Sequence, residues 1–459
     1  MEAQRDIALL YRRAGFGPRP GQVEDAAATV GGYDALVDTL TGPTGPDRAA
    51  EAIAPPAFRT AELVAELAAK DPSGRQALRT ELRREAGALI LWWLRRMVAA
   101  DQPFVEKLTW FWHGHFATSL QKVRLPELMY RQNQTQRRLG RGDFEALVNA
   151  MAVDPAMLVW LDGRTNRAGH PNENFGREVL ERFVLGHGAG EAATGGMGGR
   201  HPGDPAMGQQ PYTEADVEAA ARAFTGYRLD RGTLTVTERP RLHDAGAKTF
   251  LGQSGPWDGP DIVRIATHAA ASAPFVTSRL WSRLARPGGP GDPTVVALAR
   301  GFAVDRDVQK LSAALFRHPE FRADATRTGL VKQPVEWLAG ACRALAVDPH
   351  EPRLVPLLAA LGQVPFVPPS VGGWPAGQAW LTTGAALERL KVARLLVAAA
   401  GRGIDPVTRT GAAGRPEAAA RLLAVDAWGP ATTSALARAA DDPATLVALA
   451  LVAPEHLLA

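Results

Sequence analysis

Residues 171–186 (PNENFGREVLERFVLG) concentrate the side chains of this chain that are best suited to chemistry. They include two amides and three carboxylates: Asn172, Glu173, Asn174, Glu178 and Glu181. On an α-helix, Asn174, Glu178 and Glu181 stand at positions i, i+4 and i+7 and therefore share one face. Carboxylate and amide oxygens suit Ca²⁺ and Mg²⁺. The stretch predicts a site for a divalent metal ion or a polar substrate, with Glu173, Asn174 and Glu178 as the metal ligands.

The same residues also permit a structural interpretation. Asn172 or Asn174 could cap the N-terminus of a helix. Three ion pairs at i, i+4 spacing are available on that helix: Glu173–Arg177, Arg177–Glu181 and Glu178–Arg182. The spacing does not match the EF-hand calcium loop. Both interpretations stay open on the sequence alone.

Two histidines, His113 and His115, occur in the aromatic segment Phe-Trp-His-Gly-His-Phe over 111–116. On a regular helix they point about 200° apart, so they converge on one metal ion only if Gly114 breaks the helix. Histidine serves readily as a metal ligand or an acid/base group. The alternative is that each ring packs among aromatic residues and donates to a backbone carbonyl.

A third candidate is the segment in which His243 and Asp244 are followed by Lys248. These types could supply acid/base or phosphate-binding groups, although a His-Asp pair in a turn is the structural alternative. Arg222 lies near the end of a helix that is predicted to open at a capping box, Thr213–Asp216. We expect Arg222 to pair with Glu178 or Glu181.

Composition limits the classes of function. The chain has 459 residues and a formal net charge of only +4, with no long basic run, so a nucleic-acid-binding role is disfavoured. Cys342 is the only cysteine, which excludes an internal disulfide. No stretch approaches the roughly 20 apolar residues of a membrane span. The N-terminus lacks the apolar core of a secretory signal, so the sequence as written predicts a cytoplasmic protein.

Helical periodicity dominates the chain, and only 233–238 reads as extended. The pattern predicts a mostly-α fold: one large multi-helix domain over 1–459 with at most a small β-hairpin and long ordered loops. Residues 188–210 are predicted to be a flexible Gly-rich insertion, and 362–383 an ordered loop rich in Pro, Gly and Trp. The predicted helices are 4–14, 21–40, 59–70, 75–100, 103–119, 125–138, 143–152, 173–185, 213–223, 259–285, 293–303, 305–318, 330–346, 352–361, 384–400 and much of 415–455.

Nine motifs, in this order, resemble the landmarks of a mainly bacterial family, domain-of-unknown-function family 1800. They cover nearly the whole chain: 9–18, 111–116, 154–158, 171–175, 212–216, 221–226, His243-Asp244 with Lys248, 332–336 and 372–375. The family has no generally established reaction. The resemblance implies that a sulfatase-like protein of domain-of-unknown-function family 1501, often carrying a twin-arginine signal, is a candidate partner.

The resemblance also marks signature positions in this sequence: His113, His115, Asn172, Glu173, Asn174, Arg177, Glu178, Arg222, His243, Asp244, Lys248 and Trp374. The chain departs from the family pattern at Gly114, where Asn is more usual, and at Gly176, where Ala is more usual. A glycine at 176 should cost up to about 1 kcal/mol of helix stability.

Two hypotheses follow. In the first, the protein is a metal-dependent enzyme, and a divalent ion of unknown identity binds at Glu173, Asn174 and Glu178. His113, His115, Glu178, His243, Asp244 and Lys248 would then be catalytic, while Asn172, Arg177, Arg222 and Trp374 would hold the substrate or the structure. In the second, the protein is a non-catalytic partner of a sulfatase-like neighbour, and co-export with that signal-bearing partner is conceivable.

Overall fold

The computed structural model describes residues 2–42, 45–59, 72–187, 210–230 and 232–458. The helix predicted over 59–70 and the insertion predicted over 188–210 lie outside the described residues, apart from Arg59 and Gln210 at their edges.

Helices make up most of the described chain, so the mostly-α prediction is confirmed. The helices of the first half are α1 (Glu2–Arg13), α2 (Gln22–Thr29), α3 (Tyr33–Thr41), α4 (Arg48–Glu51), α5 (Pro72–Ala99), α6 (Pro103–His115), α7 (Leu120–Val123), α8 (Pro126–Leu139), α9 (Phe144–Ala152), α10 (Pro155–Trp160), α11 (Glu173–Glu178) with its π-helical continuation Val179–Leu185, and α12 (Glu214–Ala223). A 3₁₀ turn occupies Gly163–Thr165.

The second half of the described chain is also mainly helical. Its helices are α13 (Gly259–His268), α14 (Ser272–Leu284), α15 (Pro293–Asp305), α16 (Val308–Arg317), α17 (Pro319–Arg322), α18 (Asp324–Arg327), α19 (Pro334–Ala344), α20 (Leu354–Ala360), α21 (Thr383–Ala399), α22 (Asp405–Thr408), α23 (Arg415–Leu422), α24 (Pro430–Arg438), α25 (Pro443–Leu451) and α26 (Pro454–Leu457). Short 3₁₀ turns lie at Pro240–Leu242, Gly377–Trp380, Gly401–Ile404 and Ala412–Gly414. Within the described ranges, no helix has both the length and the apolar character needed to cross a bilayer.

Two antiparallel hairpins interrupt the helices, one more than predicted. Strand β1 (Tyr227–Asp230) pairs with β2 (Thr235–Glu238), which includes most of the predicted extended segment. Strand β3 (Lys248–Phe250) pairs with β4 (Gln253–Gly255). The second hairpin escaped prediction because three residues are too few to show a period-two pattern.

Several predicted helices are divided in the structure. The helix predicted over 21–40 ends at Thr29 and restarts at Tyr33, because Gly32 adopts a φ of 107° between the two pieces. The helix predicted over 259–285 is likewise two helices, α13 and α14. In the C-terminal segment, Pro430, Pro443 and Pro454 each begin a new helix, the position that proline prefers.

The helix predicted over 173–185 is α-helical only to Glu178 and continues as a π-helix. Hydrogen bonds in a π-helix run from i to i+5, so the i, i+4, i+7 argument holds for Asn174 and Glu178 but not for Glu181. Glu181 is buried and contacts Arg182, His187 and Tyr212. π-Helical turns occur frequently at functional sites.

Helix α6 lies between two groups of buried apolar side chains. Phe104, Leu108 and Trp112 pack into the group that also contains α1, α9 and α14, whereas Trp110 belongs to the group formed with α5 and α19. Residues that alternate along α6 therefore reach both cores. This placement buries both His113 and His115.

Gly176 permits helices α11 and α12 to touch. A Cβ at this position would lie 2.8 Å from the carbonyl oxygen of Val217 and 2.9 Å from the amide nitrogen of Ala221. We therefore expect Gly176→Ala to lower the free energy of unfolding by about 1–3 kcal/mol, because overpacking against backbone outweighs the gain in helix propensity. Urea unfolding followed by circular dichroism measures this change.

A second glycine provides the matched control. Gly87 is also inside a helix, and a Cβ there would meet no heavy atom within 4 Å. Gly87→Ala should raise the free energy of unfolding by up to about 1 kcal/mol. If both substitutions stabilise the protein, the close approach of α11 to α12 is not what requires glycine at 176.

Candidate functional site

His113 lies within an aromatic cage. Its ring is in contact with Trp93, Trp110, Phe366 and Trp374, with centroid separations of 5.3–5.9 Å. Its Nε2 accepts a hydrogen bond of 2.9 Å from the backbone N–H of Phe366. Burial lowers the pKa of His113 to about 3, so the ring is neutral near pH 7. In this position His113 anchors the 362–383 loop to α6.

The burial of His113 has a consequence for acid stability. A histidine whose folded pKa is about 3 and whose unfolded value is 6.5 stabilises the folded state above pH 6.5. That contribution is lost as the pH falls from 6.5 towards 3, since the unfolded chain then binds the extra proton. We expect His113→Gln, whose amide oxygen can still accept a hydrogen bond, to lose stability less steeply than the wild type between pH 6.5 and 4.5. Urea unfolding at both pH values tests this, and equal slopes would contradict it.

His115 occupies the last position of α6 and has one unsatisfied ring nitrogen. Its Nε2 donates a hydrogen bond of 2.9 Å to the carbonyl oxygen of Phe183, in the π-helical turn. Its buried Nδ1 has no hydrogen-bond partner among the described residues. Burial, reinforced by the positive charge of Arg279, lowers the pKa of His115 to about 3. His115 therefore presents a neutral ring with a free acceptor nitrogen.

Asn172 begins helix α11. Its Oδ1 accepts a hydrogen bond of 3.1 Å from Phe175 N–H, its Nδ2 donates to the carbonyl of Leu161, and its backbone N–H donates to Asn166 Oδ1. The N-capping interpretation is thus confirmed for Asn172. All of these contacts stabilise the junction between the turn at 161–166 and the helix.

The proposed metal ligands differ in their surroundings. Glu173 and Asn174 are exposed, whereas Glu178 is partly buried and its Oε2 lacks a hydrogen-bond partner in the part of the chain that the structure describes. Burial raises the pKa of Glu178, and Arg182, 3.8 Å away, opposes that rise. Across the described ranges, no group of three or more His, Cys, Asp or Glu side chains is arranged to hold a metal ion. The metal site stays a prediction.

Of the ion pairs predicted along the 173–185 helix, one forms as predicted, whereas Arg177 pairs with a residue of another helix. Glu178 and Arg182 form the predicted i, i+4 pair. Arg177, by contrast, makes a two-pronged contact with Glu214 of α12, at 2.8 and 2.6 Å. This pair bridges the two helices that meet at Gly176.

His243, Asp244 and Lys248 form a compact turn with the end of α12. Arg222 Nε lies 2.8 Å from Asp244 Oδ2, so the expected pairing of Arg222 with Glu178 or Glu181 is wrong. His243 Nδ1 lies 3.1 Å from the carbonyl oxygen of Thr225, and Lys248 Nζ donates to the carbonyl oxygens of Asp244 and Gly246. Hydrogen bonding from Arg222 lowers the pKa of Asp244, and burial lowers that of Lys248.

A cavity of about 120 Å³ lies beside His115 and is bordered by side chains from α1, α6, α14, the start of α19 and the 362–383 loop. Of the predicted site residues, the described lining contains His115 and Trp374. The charged and polar side chains of this cationic cavity are Arg12, Arg13, Lys107, His115, Arg279, Ser282, Arg283, Lys332, Gln333 and Glu336. Its aromatic wall consists of Phe16, Trp110, Phe111 and Trp374.

The charge of the lining is strongly unbalanced. Six basic side chains face one carboxylate, that of Glu336. Lys107 Nζ is in close contact with Glu336 Oε1, and Arg283 lies 3.2 Å from the same oxygen. Although burial alone would raise the pKa of Glu336, Arg283 and Lys107 hold it at about 2. Glu336 is therefore a carboxylate that is already shared between two cations.

The remaining bases crowd one another. Burial, with the charge of Arg12, lowers the pKa of Arg13 to about 9. Burial also lowers the pKa of Lys107 to about 8 against the attraction of Glu336. The pKa of Lys332 lies well below its usual range because of burial and the charges of Arg12 and Arg13. Positive charge in this cavity exceeds what the adjacent carboxylate neutralises.

The 362–383 loop forms one side of the cationic cavity, and its Phe366, Trp374 and Trp380 are buried. Trp374 stacks on Trp110 with centroids 5.0 Å apart and an interplanar angle of 27°. Gly373 has a φ of 80°, and a Cβ there would lie 2.6 Å from the carbonyl oxygen of Gly114. A side chain at Gly373 would thus push the loop off α6, whereas Gly114 itself has open space beside it.

Most of the residues that line this cavity were not predicted from the sequence. Arg12, Arg13, Lys332 and Glu336 fell inside motifs of the family resemblance but were assigned no role. The sequence around Lys107 does contain a recognisable pattern. Phe104, Trp110 and Phe111 stand at −3, +3 and +4 from Lys107, so its charge lies on an apolar face of the helix. Such charges are rarely buried without partners. That rule could have identified Lys107 as a site residue.

Comparison with known proteins adds the family. Neither the curated proteins nor the solved structures gave a match to this chain. A family model described as "Protein of unknown function (DUF1800)" matches residues 9–458, a range that includes the C-terminal part of α1, the His113–His115 segment, Lys332 to Glu336 and the Trp374 loop. Because the match extends over essentially the whole sequence, the chain belongs to this family of proteins of unknown function.

Proposed function

We propose that this protein binds a small molecule bearing a phosphate, sulfate or carboxylate group in the cationic cavity. The observation that carries the proposal is the described lining, in which Arg12, Arg13, Lys107, Arg283 and Lys332 accompany the carboxylate of Glu336. Arg12 lies 3.8 Å from Asp426, and Lys107 and Arg283 share Glu336. Removing charges from water is costly even when they are paired, and an anion in the cavity would offset that cost.

Unsatisfied donors support the same conclusion. Within the described ranges, the Nε atoms of Arg12 and Arg13 and the Nε1 of Trp110 are buried without hydrogen-bond partners, and all three residues border the cavity. Buried donors in folded proteins are nearly always paired. The oxygens of an anion would accept from such groups, and the aromatic wall would pack against the rest of a small ligand. A volume of about 120 Å³ suits a small molecule rather than a polymer.

Thermal unfolding with inorganic phosphate or sulfate tests the proposal. At constant ionic strength, with chloride as the reference anion, either oxyanion should stabilise the protein; at 100 times its dissociation constant the gain is about 2.7 kcal/mol. Arg13→Gln should weaken this response, whereas Arg84→Gln, at a side chain that is 69% exposed on α5, should not. Equal responses to phosphate and chloride would refute the proposal.

A second candidate retains the cation predicted at Glu178. The observation favouring it is the buried Oε2 of Glu178, which accepts no hydrogen bond from the described part of the chain and lies 3.8 Å from Arg182 Nε. Elemental analysis of protein purified without a metal-affinity tag tests it: near-stoichiometric metal in the wild type that disappears in Glu178→Gln would support a metal-dependent enzyme. Metal content that is unaffected by the substitution would exclude Glu178 as a ligand.

The partner-protein hypothesis makes a different prediction. Two results together would favour that role over ligand binding. The protein would co-purify as a stable heteromer with a sulfatase-like protein, and phosphate or sulfate would not stabilise it. A monomer that is stabilised by phosphate would argue for the cationic cavity.

A further inference from the structure

We propose that Lys332 is the nucleophile of the cationic cavity and that its Nζ condenses with the carbonyl carbon of a small anionic aldehyde or ketone. The inference rests on the proposed function, because the neighbouring cations would hold the anionic group of that substrate. It adds the class of ligand, an anion that carries a carbonyl group, and the residue that reacts with it.

The partner of Lys332 distinguishes it from the other lysine of the cavity. Lys107 Nζ contacts the carboxylate of Glu336. Lys332 Nζ instead lies 3.3 Å from Nδ1 of His456, and no carboxylate of the described chain is within ion-pair distance of it. A lysine without a carboxylate partner has little to stabilise its ammonium form.

The charges around Lys332 favour the neutral amine further. The groups that face it are Arg12 and Arg13 from α1, Lys107 from α6, Glu336 from α19 and His456 from α26. Three of the five are cations, and Glu336 is shared between Lys107 and Arg283. Desolvation next to other cations is a recognised way to activate a lysine as a nucleophile.

The backbone holds Lys332 in place. Its N–H donates a hydrogen bond of 2.8 Å to the carbonyl of Leu457, and Val331 forms a β-bridge with Leu458. These contacts also fix the position of His456, which is buried and whose pKa lies well below its usual value because of burial and the charge of Lys332. Nucleophile and neighbouring imidazole are thus positioned by the same pair of segments.

The reaction balances without an oxidant or reductant. The lone pair of Nζ forms a C–N bond to the carbonyl carbon while the π bond of the carbonyl group opens onto its oxygen, and one proton moves from nitrogen to that oxygen, giving a carbinolamine. The C–O bond then breaks, and the carbonyl oxygen leaves as water with the two hydrogens of the amine, which leaves an imine. The neutral His456 Nδ1 is near enough to Nζ to accept a proton during addition and return it to the departing oxygen.

Reductive trapping with glyoxylate, a small anionic aldehyde, tests the proposal. The protein is incubated with glyoxylate and sodium cyanoborohydride at pH 7, and the carboxymethyl adducts are mapped by peptide mass spectrometry. The chain has seven lysines, so the assignment is unambiguous. Lys332 should be modified at least about tenfold faster than Lys310 and Lys391, whose side chains are 71% and 65% exposed, since each unit of lowered pKa gives about tenfold more free amine. Inorganic phosphate should slow the reaction at Lys332 and leave the rates at Lys310 and Lys391 unchanged.

The controls separate this inference from the proposed function. Lys332→Arg should remove the fast phase of labelling and leave Lys310 and Lys391 unchanged. Propanal, a neutral aldehyde, should show a smaller preference for Lys332 than glyoxylate does. Labelling of Lys332 no faster than that of Lys310, or no protection by phosphate, would overturn the inference. Anion binding is scored independently, by the phosphate-dependent thermal shift of the unmodified protein, so a shift without a Lys332 adduct refutes the imine and retains the anion site.

Discussion

Replacing Glu336 by Gln should lower the free energy of unfolding by about 3–5 kcal/mol, because it leaves Lys107 and Arg283 buried beside a neutral amide. The substitution preserves the shape of the side chain, so the loss reports charge rather than a cavity. Urea unfolding at pH 7 in chloride buffer measures it. Glu214→Gln is the matched control: Glu214 pairs with Arg177, but its side chain is 72% exposed, so solvent screens the pair and the expected loss is much smaller than for Glu336→Gln.

The pH dependence of this effect has a defined sign. The pKa of Glu336 is about 2 in the folded protein against 4.5 for an unperturbed group. Its stabilising contribution is therefore present above pH 4.5 and is lost as the pH falls from 4.5 towards 2. The difference between wild type and Glu336→Gln should shrink over that range. A difference that stays constant in acid would mean that the carboxylate charge is not its cause.

Glu336→Gln also tests whether the basic side chains of the cationic cavity hold an anion. Without Glu336, the lining has six basic groups and no carboxylate. We expect phosphate to stabilise Glu336→Gln more than it stabilises the wild type, so that the anion recovers part of the lost stability. A smaller phosphate response in the variant would contradict the role of these bases in holding an anion.

Gly114→Asp should place a carboxylate at the cavity and remove its response to phosphate. A Cβ at Gly114 would meet no heavy atom within 4 Å, and Gly114 borders the cavity, so a side chain has room there. The Asp carboxylate would neutralise part of the cationic lining and act as a tethered anion. We expect Gly114→Asp to be more stable than Gly114→Asn by about 1–3 kcal/mol in chloride buffer, as for hydrogen bonds to charged groups.

The Asn variant separates charge from volume, since the two side chains have nearly the same shape. Asn is also the residue that the family resemblance leads us to expect at this position. Thermal unfolding of both variants with and without phosphate gives the result. Equal stability of Gly114→Asp and Gly114→Asn, together with equal responses to phosphate, would show that the cavity does not favour negative charge.

Local patterns in the sequence predicted the parts of the structure that depend on neighbours in the chain. Helical periodicity gave the mostly-α class, and Asn172 and the Thr213–Asp216 capping box begin helices as their side-chain chemistry requires. The positions at which helices end were harder to predict from the sequence. A glycine such as Gly32 or a short π-helical turn such as Val179–Leu185 changes the backbone without disturbing the apolar pattern on either side.

Tertiary structure decides which residues that are far apart in the sequence contact one another. The sequence by itself determined the family motifs, the helical class and the chemistry that individual residues offer. It could not show that His113 is a buried acceptor for Phe366, that Arg222 pairs with Asp244, or that Arg12, Lys107, Lys332 and Glu336 border one cavity. Those four residues lie on segments far apart in the chain, and their side chains converge only because the packing of α1, α6 and α19 brings the segments together. Charge balance is a property of that assembled surface, which is why only the folded protein shows an excess of buried positive charge.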